Sequence, residues 1–354
     1  MKLSIDDKIK NISYYPKAMM YGFEDGWTIL SSNENPFPPS EKVFSAVLDA
    51  LPSMSRYPGG EAELKAAIAA SYSITPEQVV IGNGSNELIE MSLKAMKDET
   101  KNGVVISESS FAFYHIAAQI YGYEVKKAPI KGMHVDLKAL RDLIDEKTRV
   151  IFLNNPLNPT GTIFEDKDFD DFMRSIPDDI LIVVDEAYAE FAESEAFPKS
   201  LKYINDFPVV VFRTFSKAYG LAGLRVGYGL GEKSLMSFME RTKQPFSVNM
   251  VALIAARAAL SDNDYQKKVL ENNRKGKQYY YDVLKKLNLE YVPTEANFLL
   301  IKLGPAAETI TKKLFDKQVL VRFMAAYGLP DYIRVTIGTM EENTRFIETL
   351  KRLL

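Results

Sequence analysis

The chain has 354 residues, 46% hydrophobic and 26% charged, with 44 Lys and Arg against 47 Asp and Glu for a net charge of −3. At roughly 150 residues per domain this length suggests about two domains, and the balanced charge argues against a nucleic-acid binder. With no cysteine and only His115 and His134, disulfides, thiolate metal sites and a cysteine nucleophile are excluded, no metal is expected, and a Ser-His-Asp triad is disfavoured. The first residues, MKLSIDDKIKNISYYP, have no apolar run flanked by a cleavage signal, so no secretory leader is expected. No stretch approaches the roughly 20 apolar residues that span a bilayer, so no membrane partner is expected either.

From residue 40 to about 245, short apolar runs alternate with helical patterns. The runs are VVIGN (79–83), GVVISE (103–108), RVIFLNN (149–155), DILIVVDE (179–186), VVVFRT (209–214) and RVGYGL (225–230), with helix-like stretches at 86–97 and 111–122 between them. ILIVV and VVVF are apolar at every position, as strands covered on both faces are. The prediction is an α/β fold, a mainly parallel sheet sandwiched by helices, in a large domain spanning 40–245. Beyond 245 a long helical region (249–288) leads into strands at 297–303, 319–323 and 332–338 with helices at 306–316 and 340–354. These, joined by residues 1–39, predict a smaller α+β domain.

Ligands of open parallel sheets bind outside the C-terminal strand ends. Those ends carry Gly82-Asn83-Gly84-Ser85-Asn86, Ser109-Ser110-Phe111, Asn154 to Gly161, Asp185-Glu186-Ala187-Tyr188 and Thr214-Phe215-Ser216-Lys217. Asp185 ends an apolar strand and, partly desolvated, needs a cationic partner. Lys217 lies among small residues, where a lysine can form a Schiff base with a carbonyl cofactor. The glycine-rich helix start at 82–86 suits an anion, and hydroxyls plus Arg225 complete a phosphate cup. Singly, each piece has a plainer account: a solvated lysine, a helix-capping aspartate, a turn at NPTG, a core phenylalanine. Together on one sheet edge they are the parts of a pyridoxal phosphate (PLP) site.

FRTFSKAYGLAGLRVGY (212–228) resembles the lysine-bearing segment of histidinol-phosphate aminotransferases, members of the fold-type-I PLP aminotransferase superfamily. SSNENPFPPS (31–40), RYPGG (56–60), GNGSNELIE (82–90), NPLNPTG (155–161), VDEAYAEF (184–191), EANFLLIK (295–302) and YIRVTIGT (332–339) follow in that family's order. The resemblance implies that Lys217 carries the cofactor and shuttles a proton, that Asp185 keeps the pyridine nitrogen protonated, and that Tyr188 and Asn158 hydrogen-bond the phenolic oxygen. It implies a phosphate held by Ser85, Asn86, Thr214, Ser216 and Arg225, a ring covered by Phe111, and Tyr57 reaching the neighbouring subunit's cofactor in a homodimer. Arg322 and Arg334, with Tyr21 and Asn33 nearby, would bind substrate. The implied reaction is ping-pong transamination between histidinol phosphate and 2-oxoglutarate (giving glutamate) in a cytoplasmic setting. The alternatives are an aromatic aminotransferase or a threonine-phosphate decarboxylase of the same fold. Three positions depart from the family's pattern: Ser109 stands where proline is frequent, Leu157 where asparagine is common, and Asn86 where an acid opens the helix. GYGLGEKS (227–234) lacks the spacing of a P-loop.

Overall fold

The computed structural model describes residues 7–16 and 25–354. A seven-stranded sheet runs, edge to edge, through Val79–Gly82, Gly227–Gly231, Val209–Thr214, Leu181–Asp185, Thr148–Asn154, Gly103–Ser107 and Glu124–Ala128. All neighbours pair parallel except Gly227–Gly231, which is antiparallel to both of its partners.

The sheet has a core on each face, which explains its uninterrupted apolar runs. Val105, Ile151, Leu153, Ile182, Val184, Val209 and Val211 enter one core with the helices Glu61–Tyr72, Asp166–Ser175 and Met250–Leu260. The residues between them, including Val104, Val150, Phe152, Leu181, Val183 and Phe212, enter the other with Gly84–Ala95, Ala112–Ile120 and Lys233–Thr242. Side chains alternate along a strand, so two apolar cores demand apolar residues at both parities. The edge strand Glu124–Ala128 was not foreseen: its sequence, EVKKA, is charged because only one of its sides is paired and most of it is solvent-facing.

A second, antiparallel sheet orders Tyr291–Val292, Phe298–Lys302, Tyr332–Thr336 and Arg322–Phe323. Leu299, Ile301, Ile333 and Val335 pack under Ala307–Asp316, Met340–Lys351 and the end of the long helix Asn263–Lys286. The strand expected at 319–323 is two: Val319–Leu320 pairs in parallel with Thr28–Ile29, and only Arg322–Phe323 joins the four-stranded sheet. The helical region expected at 249–288 is likewise two helices, Met250–Leu260 and Asn263–Lys286, with Asp262 capping the second by accepting from the Tyr265 amide. The first of them packs on Glu41–Ala50 and Glu61–Tyr72, and the core under the large sheet extends along the second as far as Val269. Among the described residues no helix is long and apolar enough to cross a membrane.

Candidate active site

The C-terminal ends of the parallel strands face the second sheet across a cavity of about 450 Å³. Ser85, Asn86, Phe111, Asn158, Asp185, Tyr188, Thr214, Ser216, Lys217 and Arg225 line it from the large sheet, Arg322 and Arg334 from the small one, and Asn33 from the segment between. Two residues expected near it do not line it. Tyr57 is 80% exposed and stacks on Phe246 at 4.6 Å, and Tyr21 lies outside the described residues.

Lys217 follows the strand end Val209–Thr214, and its Nζ donates to the Ser32 carbonyl at 3.0 Å. Burial, reinforced by the Arg334 charge, brings its pKa down to about 8, against the opposing pull of Glu34 and Asp185. At pH 8 about half of the amine is therefore neutral, as a nucleophile must be.

Asp185 is 3% exposed. Its carboxylate accepts from the Tyr114 hydroxyl at 2.6 Å and the Ala187 amide at 3.1 Å. Neither donor is charged, and burial pushes the carboxyl up to about 6 in spite of both bonds. A buried carboxylate hydrogen-bonded only by neutral groups favours a cationic N–H donor in the space beside it. Tyr188 accepts at its hydroxyl from Asn33 Nδ2 at 3.0 Å and Asn158 Nδ2 at 3.4 Å, and burial raises it to about 12.

An anion cradle lies alongside. The first turn of the helix Gly84–Ala95 carries Ser85 and Asn86, whose amides have no partners within the helix. Thr214 Oγ1 accepts from the Ser216 amide at 3.1 Å, and Ser216 Oγ from Arg225 at 3.3 Å. Gly84 has φ +72°, and a Cβ there would stand 2.5 Å from an Arg225 nitrogen, so the guanidinium can lie against the helix start only because this residue is glycine. A carbonyl-reactive lysine, an acceptor for a ring cation and a phosphate cradle in one cavity fit PLP.

The opposite wall is cationic. Arg322 and Arg334 are direct cross-strand partners. Arg334, 5% exposed, donates to Asn158 Oδ1 at 2.5 Å and to the Ser31 carbonyl at 2.9 Å. Its Nε is buried with no hydrogen-bond partner. Arg322 donates to the Pro16 carbonyl. Every one of these acceptors is neutral, and like charges placed directly opposite destabilise a sheet. Among the described residues neither arginine has a carboxylate partner within ion-pair distance, so the wall favours an anion.

Sequence reasoning gave no role to several lining or supporting groups: Tyr15, Ser32, Glu34, Asn154 and Tyr327 line the cavity, and Tyr114 lies behind it. Tyr114 had a signal, since it stands one helical turn beyond Phe111 and shares its face. Asn154 accepts from the Asn158 amide at 2.8 Å and donates to the Asp185 carbonyl at 3.1 Å, tying two strand ends together. That role depends on strand adjacency, which no spacing in the chain encodes.

The model of the family described as aminotransferase class I and II matches residues 25–350. This chain belongs to that family. Among its similar proteins, the histidinol-phosphate aminotransferase 2 of Pseudomonas fluorescens strain Pf0-1 is 42% identical over 327 residues, 92% of this chain and 88% of that protein. The histidinol-phosphate aminotransferase of Desulfotalea psychrophila is 39% identical over 366 residues, covering 100% and 96% of the two. Among solved structures of this aminotransferase family, the histidinol-phosphate aminotransferase from Sinorhizobium meliloti in complex with pyridoxal-5'-phosphate superposes with a TM-score of 0.86 at 27% identity, over 93% and 92% of the two chains.

Proposed function

We propose that this chain is a PLP-dependent histidinol-phosphate aminotransferase, exchanging an amine between L-histidinol phosphate and 2-oxoglutarate. The observation that carries the reading is the pairing within one cavity of a low-pKa lysine beside a PLP-shaped cradle with a two-arginine wall whose charge is unbalanced. The names of the 39–42% identical relatives support the substrate.

When bound, the cofactor supplies an aldehyde and a ring that accepts electrons from the substrate's Cα. The chain supplies the rest. Lys217 would hold the cofactor, and its amine would move the proton at the substrate's Cα. Asp185 keeps the ring nitrogen protonated. Tyr188 and Asn158 bind the phenolic oxygen, and Phe111 covers the ring. The Ser85 and Asn86 amides, Thr214, Ser216 and Arg225 hold the phosphate. Arg334 and Arg322 orient the donor's phosphate and then the acceptor's distal carboxylate, with Asn33 bracing Tyr188 beside them. Guanidinium forks suit both anions.

The working unit in this reading is a cytoplasmic homodimer. Tyr57 and Phe246 are exposed and stacked on each other, and Phe44 and Leu48 are exposed one turn apart on the helix Glu41–Ala50; large apolar side chains on the surface support a second subunit. Within each subunit the proposal is two bodies, the large sheet with its helices, and the small sheet joined by the N-terminal segment. Val269 packs in the core under the large sheet and Tyr280 in that of the small one, which supports a division inside the helix Asn263–Lys286 as well as the expected one at 245.

A substrate panel on purified protein tests the function. Histidinol phosphate, phenylalanine, aspartate and threonine phosphate are each supplied with and without 2-oxoglutarate. Turnover of histidinol phosphate that requires 2-oxoglutarate is expected to exceed all the others. Better turnover of phenylalanine, or release of carbon dioxide from threonine phosphate without an acceptor, overturns the proposal.

A further inference from the structure

The turn that presents Phe111 also touches the far wall of the cavity. Ser109, 4% exposed, donates from its hydroxyl to the main-chain carbonyl of Tyr327 at 2.9 Å across 218 residues of sequence. Among the described residues no other donor reaches that carbonyl. The two segments meet closely: Gly328, at φ +77°, passes so near that a Cβ on it would lie 3.8 Å from Ser109 Oγ. Ala112, three residues after Ser109, packs against the small cluster of Leu300, Met324 and Tyr327. The turn itself is braced by Ser110 Oγ donating to the Ser107 carbonyl at 2.6 Å.

Tyr327 is not a bystander. Its side chain lines the cavity beside Arg334, and it ends the short turn Ala325–Tyr327 that follows the strand carrying Arg322. Among the described residues that turn is held locally by the Tyr327 and Leu329 amides donating to the Met324 carbonyl, the Gly328 amide donating to the Ala325 carbonyl, and the Met324 amide donating to the Tyr332 carbonyl. One hydroxyl therefore connects the turn that covers the cofactor's ring to the wall that receives the substrate's anion.

We propose that Ser109 is a positioning residue for substrate: its hydroxyl fixes the Tyr327 segment, and through it the Arg322–Arg334 wall, at a set distance from the Phe111 turn. The residue matters for binding the donor and not for loading the cofactor, whose cradle lies on other strand ends. A proline here has no hydroxyl and cannot make the bond, so the departure at Ser109 is functional. The inference rests on the reading above that the arginine wall takes the donor's anionic end.

The test uses loaded enzyme with Ser109→Ala, Ser109→Thr and Ser109→Val, the last two being alike in shape and differing in the hydroxyl. A buried carbonyl that loses its only donor costs enough that Ser109→Ala is expected to raise KM for histidinol phosphate about three- to tenfold, with kcat within about twofold. Hydrogen exchange at the Tyr327, Gly328 and Leu329 amides should quicken in the Ala and Val variants, and Thr should outperform Val in both readouts. The visible absorbance of the cofactor, and the amount trapped on Lys217 by borohydride, should match the parent. Unchanged KM and exchange in Ser109→Ala, a Thr variant no better than Val, or loss of trapped cofactor each overturn the proposal. If the parent does not turn over histidinol phosphate, the functional reading fails by itself, and the exchange comparison still decides whether Ser109 holds the Tyr327 segment.

Discussion

A carboxyl at about pH 6 and an amine at about pH 8 face the same cavity, both displaced by burial first and by neighbours second. For Asp185 the displacement has a thermodynamic sign. Its folded-state pKa lies above the ordinary 3.8, so between those values the folded protein binds the proton that the unfolded chain releases. Whatever stability this contributes is present below about pH 4 and is lost as pH rises through 6. At pH 8 the cofactor-free protein carries a buried charge it would be more stable without. Asp185→Asn removes the charge and keeps the shape. The cofactor-free variant is expected to melt higher than the parent at pH 8, by an amount of order 3 kcal/mol at most, and to lose that advantage near pH 4. Calorimetry at the two pH values checks this; equal melting temperatures at pH 8 would show that the carboxyl is not destabilised. The same variant should lose at least about a hundredfold in turnover, the scale of a removed charge interaction at a reacting centre. A rise in stability together with a fall in activity separates a functional carboxylate from a structural one.

Elements reach the cavity through loops whose shape a few residues decide. The loop after Thr148–Asn154 ends at Gly161, whose carbonyl accepts from the Glu295 amide at 2.7 Å and from Thr294 Oγ1 at 3.4 Å. Its φ is +79°, and a Cβ would fall 2.0 Å from Thr294 Oγ1. Gly161→Ala therefore combines left-handed strain with overpacking and should lower unfolding stability by about 2–4 kcal/mol. A urea melt should show the loss as a lower midpoint at unchanged slope. Adding Thr294→Ala should recover the part due to collision with Oγ1 and leave the backbone strain and the remaining contact with the Thr294 Cβ, 2.7 Å away; no recovery would mean the Oγ1 collision is relieved by movement elsewhere. At this scale the apolar strands were legible because two-sided burial requires residues such as Ile182 and Val183 in succession. Glu124–Ala128 was illegible because a one-sided edge strand with EVKKA carries no such pattern. The break between Leu320 and Arg322 was hidden for another reason: VLVRF reads as one strand, and only the separate partners Ile29 and Arg334 divide it.

For the molecule as a whole, the exposed Tyr57 and its stacked neighbour Phe246 bear on assembly. If Tyr57 serves the partner's cavity, subunits bearing Tyr57→Ala and subunits bearing Lys217→Ala should each be poorly active alone. Refolded or exchanged mixtures should regain roughly one quarter of parental activity, because half of the dimers are mixed and each mixed dimer has one intact site. Mixtures that never exceed the more active parent would place Tyr57's effect within its own subunit.

Lys217, Asp185, Tyr188 and the glycine-rich start at 82–86 could be read from the chain because their chemistry is written locally: each sits at the end of an apolar run, and such runs place their ends on one edge of a parallel sheet. Arg334 was legible for a similar reason, since Ile333 and Val335 on either side leave its face free for the cavity. The groups that support them were not. Tyr114 under Asp185, Asn154 between two strand ends, Ser109 against Tyr327, and the Ser31 and Ser32 carbonyls that receive Arg334 and Lys217 depend on segments far apart in sequence. A hydroxyl or carbonyl has no partner until the packing of two sheets brings one close, so local pattern pointed to the candidate residues and tertiary structure alone decided what holds them in place.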